Sequence, residues 1–209
     1  MTADYVIGID LGTTNTVAAF ASLHSEVPSV ELLPIPQLTA AHTIETRPQL
    51  PSFLYLSTAE ETAAGSWRIP WNDTGTFAAG AVARSLSATA PDRTVVAAKS
   101  WLCHSRVDRR QPILPWQAPP GVSRISPLEA SQRLLEHIAA VWNQAHPQHP
   151  FRDQSVILTV PASFDASARE LTREAALAAG CPESLVLLEE PQAAAYHWLS
   201  SVGDRWRRI

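Results

Sequence analysis

The sequence predicts an α/β domain, a mixed β-sheet flanked by helices, with a smaller subdomain inserted into it. Three observations carry that expectation. Two apolar, strand-like runs, residues 5–10 and 15–21, face each other across a short polar bend. After residue 126, helical and strand-like patterns alternate in the order αβαβα. Between these halves lies a stretch rich in Pro, Thr and Leu with weaker strand and helix signals. Strands that lead and helices that alternate later predict a sheet with both antiparallel and parallel neighbours, not a purely parallel one.

Taken in order, the opening hairpin is set by apolar, β-prone residues on either side of its bend. Its centre, residues 8–16, reads GIDLGTTNT. A hairpin that only had to turn could use Asn-Gly. This bend offers hydroxyls, backbone N–H groups and a carboxylate, the groups that hold a phosphate and its metal. Next, RPQLPSFLYL (47–56) ends in a strand-like run, residues 76–80 form a weaker strand, and 81–86 look helical. RTVVAAKSWL (93–102) has an apolar middle interrupted by Lys99. The four prolines of 110–125 predict a connection between subdomains.

Ser126-Pro127-Leu128-Glu129 then reads as a capping box with Pro at the first helical position. Leu128, Leu135, Ile138, Trp142 and Ala145 fall on one face of the helix that follows, and His146-Pro147 ends it. SVILTV (155–160) reads as a short central strand. Asp165 is an N-cap for a helix running to Ala179, with Gly180 just beyond it. Leu185 to Leu188 reads as another buried strand. Glu189-Glu190-Pro191 turns into a last helix that carries Ala193, Ala194, Ala195 and Trp198. The expected division is a core subdomain of residues 1–36 and 126–209 with an insertion at 37–125.

Composition excludes several classes. A chain of 209 residues is long enough to bury roughly 70% of its extended-chain surface. A net charge of −4 makes no electrostatic case for nucleic acid or an anionic membrane as partner. No apolar run approaches the ~20 residues of a membrane span, and the N-terminus lacks a signal-peptide pattern. Cys103 and Cys181 read as free buried thiols of a reducing, cytoplasmic setting. His137, His146 and His149 read as part of a solvated Pro-rich loop, since zinc needs more ligands at fixed spacing. The basic cluster Arg205-Trp206-Arg207-Arg208 reads as a solvated chain end.

Three polar sites stand beside strand-like runs: Asp10 with Thr13 and Thr14, then Lys99, then Glu190. Strand ends along one edge of a sheet are where open α/β folds gather ligands. Hydroxyls and N–H groups hold phosphate oxygens, an acid holds hydrated Mg²⁺, a lysine stabilises the phosphoryl group, and a second acid orients water. Taken singly, each has a plainer reading. The threonines suit a turn, Lys99 a snorkelling surface side chain, Glu190 a helix start and Arg169 a solvated helix position. Only their combination points to chemistry.

That combination resembles the heat-shock protein 70 (DnaK-type) chaperone family of the actin–hexokinase superfamily. GIDLGTTNT resembles the family's first phosphate motif. RPQLPSFLYL resembles its Arg-Thr-Thr-Pro-Ser strand, and VVAAKSWL its Phe-Ala-Ile-Lys-Arg-Leu segment. VILTVPASFDASARELTREAALAAG resembles its Val-Pro-Ala-Tyr-Phe helix, and LLEEPQAAAYHWL its Asn-Glu-Pro-Thr-Ala-Ala-Ala segment. Five motifs in order span nearly the whole chain. The resemblance implies a ribonuclease H-like, actin-like ATPase lobe that binds ATP or ADP with Mg²⁺. It implies Asp10 on Mg²⁺ through water, and Gly12, Thr13, Thr14 and Asn15 in the phosphate turn. It also implies Lys99 and Glu190 at the hydrolytic centre, with Pro161 and Arg169 relaying nucleotide state. Unfolded polypeptides and co-chaperones are the partners it implies.

The chain departs from the family at Ser163 for Tyr, Glu189 for Asn and Gln192 for Thr, and its Arg47 sits one residue further from Pro51-Ser52. Its eight glycines include no Gly-Gly or Gly-x-Gly. The family's second lobe carries such loops, so the expectation is a first-lobe fragment, inactive alone and prone to self-association. A sugar or metabolite kinase of the same superfamily would share the first motif but lack the later segments. A non-catalytic scaffold would not need Asp10, Lys99 and Glu190 together.

Overall fold

In the computed structural model, residues 3–27 and 29–203 are described. Tyr5–Leu11 (β1) and Asn15–Ser22 (β2) form the expected antiparallel hairpin. Glu31–Leu32 (β3) extends it at the far edge. Ile35–Ala40 (β4) and Thr43–Arg47 (β5) make a separate hairpin, and Leu50–Pro51 (β6) returns to pair with the start of β2. Leu54–Leu56 (β7) follows, then helix Ala59–Ala64 (α1), Phe77–Ala79 (β8), helix Ala81–Leu86 (α2), Thr94–Val95 (β9) and helix Ala98–Leu102 (α3). The chain then runs through Pro127–Ala145 (α4), Ser155–Val160 (β10), Ala166–Ala178 (α5), Val186–Glu189 (β11) and Glu190–Val202 (α6).

The main sheet has the order β11-β10-β1-β2-β3. β11, β10 and β1 are parallel neighbours, whereas β2 and β3 run antiparallel, so the sheet is mixed, as expected. Strand periodicity explains the core. Ile7, Ile9 and Leu11 of β1 and Val156, Leu158 and Val160 of β10 are buried, while their alternates are half-buried or exposed. The buried face packs on Leu134, Leu135, Ile138, Val141 and Trp142 of α4 and on Leu171 and Ala176 of α5. A second apolar cluster under the intervening region joins Leu38, Tyr55, Trp67, Ile69 and Val82. There β7 pairs with both β8 and β9.

Several expectations need correction. The Leu185–Leu188 stretch is only partly buried: Leu185 is in the core at 5% exposure, but β11 is the sheet's edge strand and Val186 is 51% exposed. Four consecutive apolar residues gave no means of telling an edge strand from a central one. Ser126 does cap α4, accepting from the Glu129 N–H at 2.9 Å. The Glu129 carboxylate, however, takes Arg133 at 3.3 Å instead of completing the box. The buried face of α4 is broader than expected and ends before Ala145, which is exposed. Ala130, Leu134, His137 and Val141 complete it.

The three histidines are not simply solvated: one is buried and two are half-buried. His137 is buried, His146 stacks on Trp142 with ring centroids 4.0 Å apart, and His149 bonds Asp4 at 2.8 Å. Aromatic neighbours far away in sequence, Tyr5, Phe20 and Trp71, draw them inward. Both cysteines are free, but Cys103 is exposed and only Cys181 is buried. Burial pushes the Cys181 thiol up to about 12, so it stays protonated. Residues 205–208, the basic cluster, lie outside the described residues. Among the described residues no helix is long and apolar enough to cross a membrane.

Candidate functional site

Parallel pairing of β1, β10 and β11 brings their C-terminal ends to one edge of the sheet. Asp10 lies near the end of β1, directly beside Thr159 of β10, whose hydroxyl donates to Asp10 Oδ1 at 3.0 Å. Glu189 closes β11 beside Val160, and Glu190 is the first residue of α6. α3 carries Lys99 to the same point. Its Nζ donates to Glu190 Oε1 at 2.5 Å, across 91 positions of sequence, and lies 3.8 Å from Asp10 Oδ1. The chain enters α3 through Ala97, held in the left-handed region at φ 53°.

Lys99 is only 8% exposed, against 56% for the Asp10 side chain and 43% for that of Glu190. A buried ammonium needs paired anions, and here two carboxylates supply them. Two acids and one lysine leave one formal negative charge facing solvent. That balance repels a bare phosphate and accepts one accompanied by a divalent cation. Among the described residues no group of three or more His, Cys, Asp or Glu gathers as metal ligands. Magnesium does not require one, because it keeps several waters and takes one or two carboxylates.

The Gly12–Asn15 bend is tightly closed. The Gly12 N–H donates to Asn15 O at 3.1 Å, and a Cβ at Gly12 would lie 2.3 Å from that same oxygen. Only glycine leaves room for this turn. Thr13 and Thr14 are exposed at its tip. Asn15 holds a buried Oδ1 without a hydrogen-bond partner. Ser52 braces the bend from outside: its N–H donates to Thr14 O at 2.9 Å and its hydroxyl to Gly12 O at 2.7 Å. The Thr16 hydroxyl lies 3.0 Å from Ser52 Oγ and completes the brace.

Pro161 follows β10 and is half-buried, its carbonyl accepting from the Phe164 N–H at 3.1 Å. Arg169 on α5 donates to Glu189 Oε1 at 2.5 Å and more weakly to Phe164 O at 3.4 Å. The structure therefore gathers Asp10, Lys99 and Glu190 at one point, with Arg169 one residue away through Glu189.

Sequence reasoning missed Thr159, Ser52 and Glu189 as members of this cluster. One signal was available for the centre itself. Lys99 is the chain's only lysine among 16 basic residues. A chain that uses arginine everywhere else keeps one compact ammonium here, where a planar fork would not replace a point charge. A partly open cavity of about 80 Å³ lies elsewhere, lined by Trp67, Trp71, Phe77, Arg133 and His137. The cluster is instead an open surface.

Comparison with known proteins gives relatives over nine-tenths of the chain. The chaperone protein HscA homologue of Mannheimia succiniciproducens is 31% identical over 202 residues, covering 90% of this chain and 28% of the relative. That of Histophilus somni is 32% identical, with 90% and 27% covered. Chaperone protein HscA of Yersinia enterocolitica is 30% identical over 198 residues, again with 90% and 27% covered. No protein-family profile matches the chain. The chain thus spans little more than a quarter of the length of its curated relatives. These relatives are chaperones of the heat-shock protein 70 family, the one that the five motifs resemble.

Proposed function

We propose that this chain, homologous to chaperones of the heat-shock protein 70 family, carries the phosphate- and metal-facing half of an ATPase site. The sheet would be the actin-like, ribonuclease H-like core of a first lobe, with residues 1–36 and 126–209 as core and 37–125 as insertion. The observation that carries this reading is the junction of Lys99 with Glu190 at 2.5 Å and Asp10 at 3.8 Å on the edge where three parallel strands end. The relatives' identity as chaperones supports it.

In this reading ATP or ADP binds with Mg²⁺, which supplies charge neutralisation on the phosphates. Asp10 holds the hydrated cation, oriented by the Thr159 hydroxyl. The backbone N–H groups and hydroxyls of Thr13 and Thr14, at the tip of the bend, hold phosphate oxygens. Lys99, fixed by its two acids, presents positive charge toward the transferred group. Glu190 orients the attacking water. Pro161 and Arg169 transmit nucleotide state to a domain that grips unfolded polypeptide, with co-chaperones as further partners.

The test is Lys99→Ala in the full-length protein. Hydrolysis should fall on the order of 10²–10³, as for the loss of one preorganised charge, while nucleotide binding is largely kept. Unchanged turnover would return Lys99 to a purely structural ion pair.

A further inference from the structure

We propose that Glu189 is a positioning residue: by gripping Arg169 it fixes the start of α6 and so holds the Glu190 carboxylate against Lys99. The hydrolysis arm of the test rests on the nucleotide reading above; the positional arm does not.

α6 buries none of its residues, so burial does little to set where it begins. β11 before it is an edge strand, paired on one side only. Polar bonds at Glu189 do the fixing. Its carboxylate accepts from the Gln192 N–H while the Gln192 side chain accepts from the Glu189 N–H at 3.3 Å, a reciprocal cap. The same carboxylate takes the Arg169 guanidinium at 2.5 Å. Arg169 stands on α5, which is itself held firmly, with Ala168, Leu171 and Thr172 buried beside it. The next residue along from Glu189 is Glu190, whose carboxylate accepts from Lys99. Lys99 in turn reaches Asp10, and Asp10 accepts from Thr159 on β10. A path of polar contacts therefore runs from Arg169 on α5 to Glu189, along the backbone to Glu190, and on through Lys99 and Asp10 to Thr159 of the sheet. Cutting it at Glu189 frees the one carboxylate whose placement depends on where α6 starts.

The test uses the fact that Lys99 is the chain's only lysine. With ¹⁵N-lysine labelling, an ammonium held in an ion pair exchanges its protons slowly and shows a ¹⁵N–¹H cross-peak. In the 209-residue chain that peak should be strong in the wild type and lost or much weakened in Glu189→Gln, which keeps the length and a cap acceptor but not the charge. Glu189→Asp keeps a good N-cap but is one methylene too short for Arg169, so it should also weaken the peak. Arg169→Gln should match Glu189→Gln, and the double variant should be no worse than either. Glu183→Gln, whose exposed side chain reaches only Arg173, at 3.5 Å, should leave the peak unchanged. A peak intact in both Glu189→Gln and Arg169→Gln overturns the proposal. A peak kept in Glu189→Asp and lost in Glu189→Gln also overturns it, because a carboxylate too short to grip Arg169 would then suffice. If Glu189→Gln does not fold, Arg169→Gln decides. In the full-length protein Glu189→Gln should slow ATP turnover about tenfold or more with KM changed little, the scale expected when a catalytic group loses its alignment. A wild type that does not hydrolyse ATP would remove the nucleotide reading and leave the cross-peak to judge the positional claim.

Discussion

Both ring nitrogens of His137 are engaged by groups that dictate their roles. Nε2 donates to Pro36 O at 2.9 Å, and Nδ1 accepts from the Trp71 indole N–H at 3.4 Å. The neutral ring satisfies both; a proton on Nδ1 would face the Trp71 donor. Burial also depresses its pKa from 6.5 to about 4, only partly opposed by the Pro36 bond. Between those values the unfolded chain binds the proton and the folded chain does not. Stability should therefore fall as pH drops from about 6.5 to about 4, by about 3 kcal/mol in all, because one bound proton is worth about 1.4 kcal/mol for each pH unit crossed. Urea unfolding at about pH 7 and about pH 4.5 checks this, and His137→Gln should flatten the dependence. Asp4 acts in a lower window. Its hydrogen bonds to His24 and His149 hold its carboxyl below the usual value of 3.8, so its contribution persists above that pH and is lost beneath it. At Gly12, an added methyl would collide with Asn15 O, so Gly12→Ala should cost about 1–3 kcal/mol and weaken nucleotide binding by opening the bend. An alanine variant that unfolds and binds as wild type would show that the bend is slack.

Element boundaries followed local chemistry closely where a terminus carried its own signal. Ser126, Pro127 and Glu129 announced α4, and Asp165 announced α5 by accepting from the Ala168 N–H at 2.7 Å. Ser126→Ala should lower unfolding stability by about 1 kcal/mol, the cost of an N-cap. Glu129→Ala should change it by a few tenths at most, since its ion pair with half-exposed Arg133 is worth little. Equal effects in the two variants would mean that the reciprocal cap forms in solution. Where no terminal signal exists, local reading went astray. RTVVAAKSWL breaks into β9 and α3 at Ala97, and nothing in that run marks the left-handed residue. Gly80 is the converse case. It adopts φ 85°, and a Cβ there would meet Gln37 Oε1 at 2.6 Å and Leu50 Cδ1 at 2.5 Å, neighbours from two other strands.

For the whole molecule, the open face matters most. Val186, Tyr196, Trp198 and Leu199 leave apolar surface exposed along β11 and α6, with Tyr196 64% exposed. Apolar side chains left bare in water favour association. The 209-residue chain should therefore self-associate in sedimentation velocity runs, and Tyr196→Glu with Trp198→Glu should reduce the effect. A strictly monomeric wild type would contradict this. The site shares the openness. Asp10, Thr13 and Thr14 are exposed, so water competes for each contact they offer a phosphate. We expect this chain alone to show no ATPase activity and to bind Mg-ATP no tighter than about millimolar, worth about 4 kcal/mol. Calorimetry showing micromolar binding would mean that the lobe holds a complete site.

The hairpin, the αβαβα order and the residue types of the bend are legible in the chain, because strand alternation, caps and turn chemistry act over a few neighbouring positions. It also marked Asp10, Lys99 and Glu190 as polar interruptions of apolar runs. It took the tertiary structure to bring these three together, since the 91 positions between Lys99 and Glu190 are closed by parallel pairing of β1, β10 and β11 and not by any local preference. That structure alone decided that β11 is an edge, that His137 is buried, and that Ser52, Thr159 and Glu189 brace the centre. Each of those outcomes depends on which distant side chain arrives opposite, a matter that local propensity does not encode.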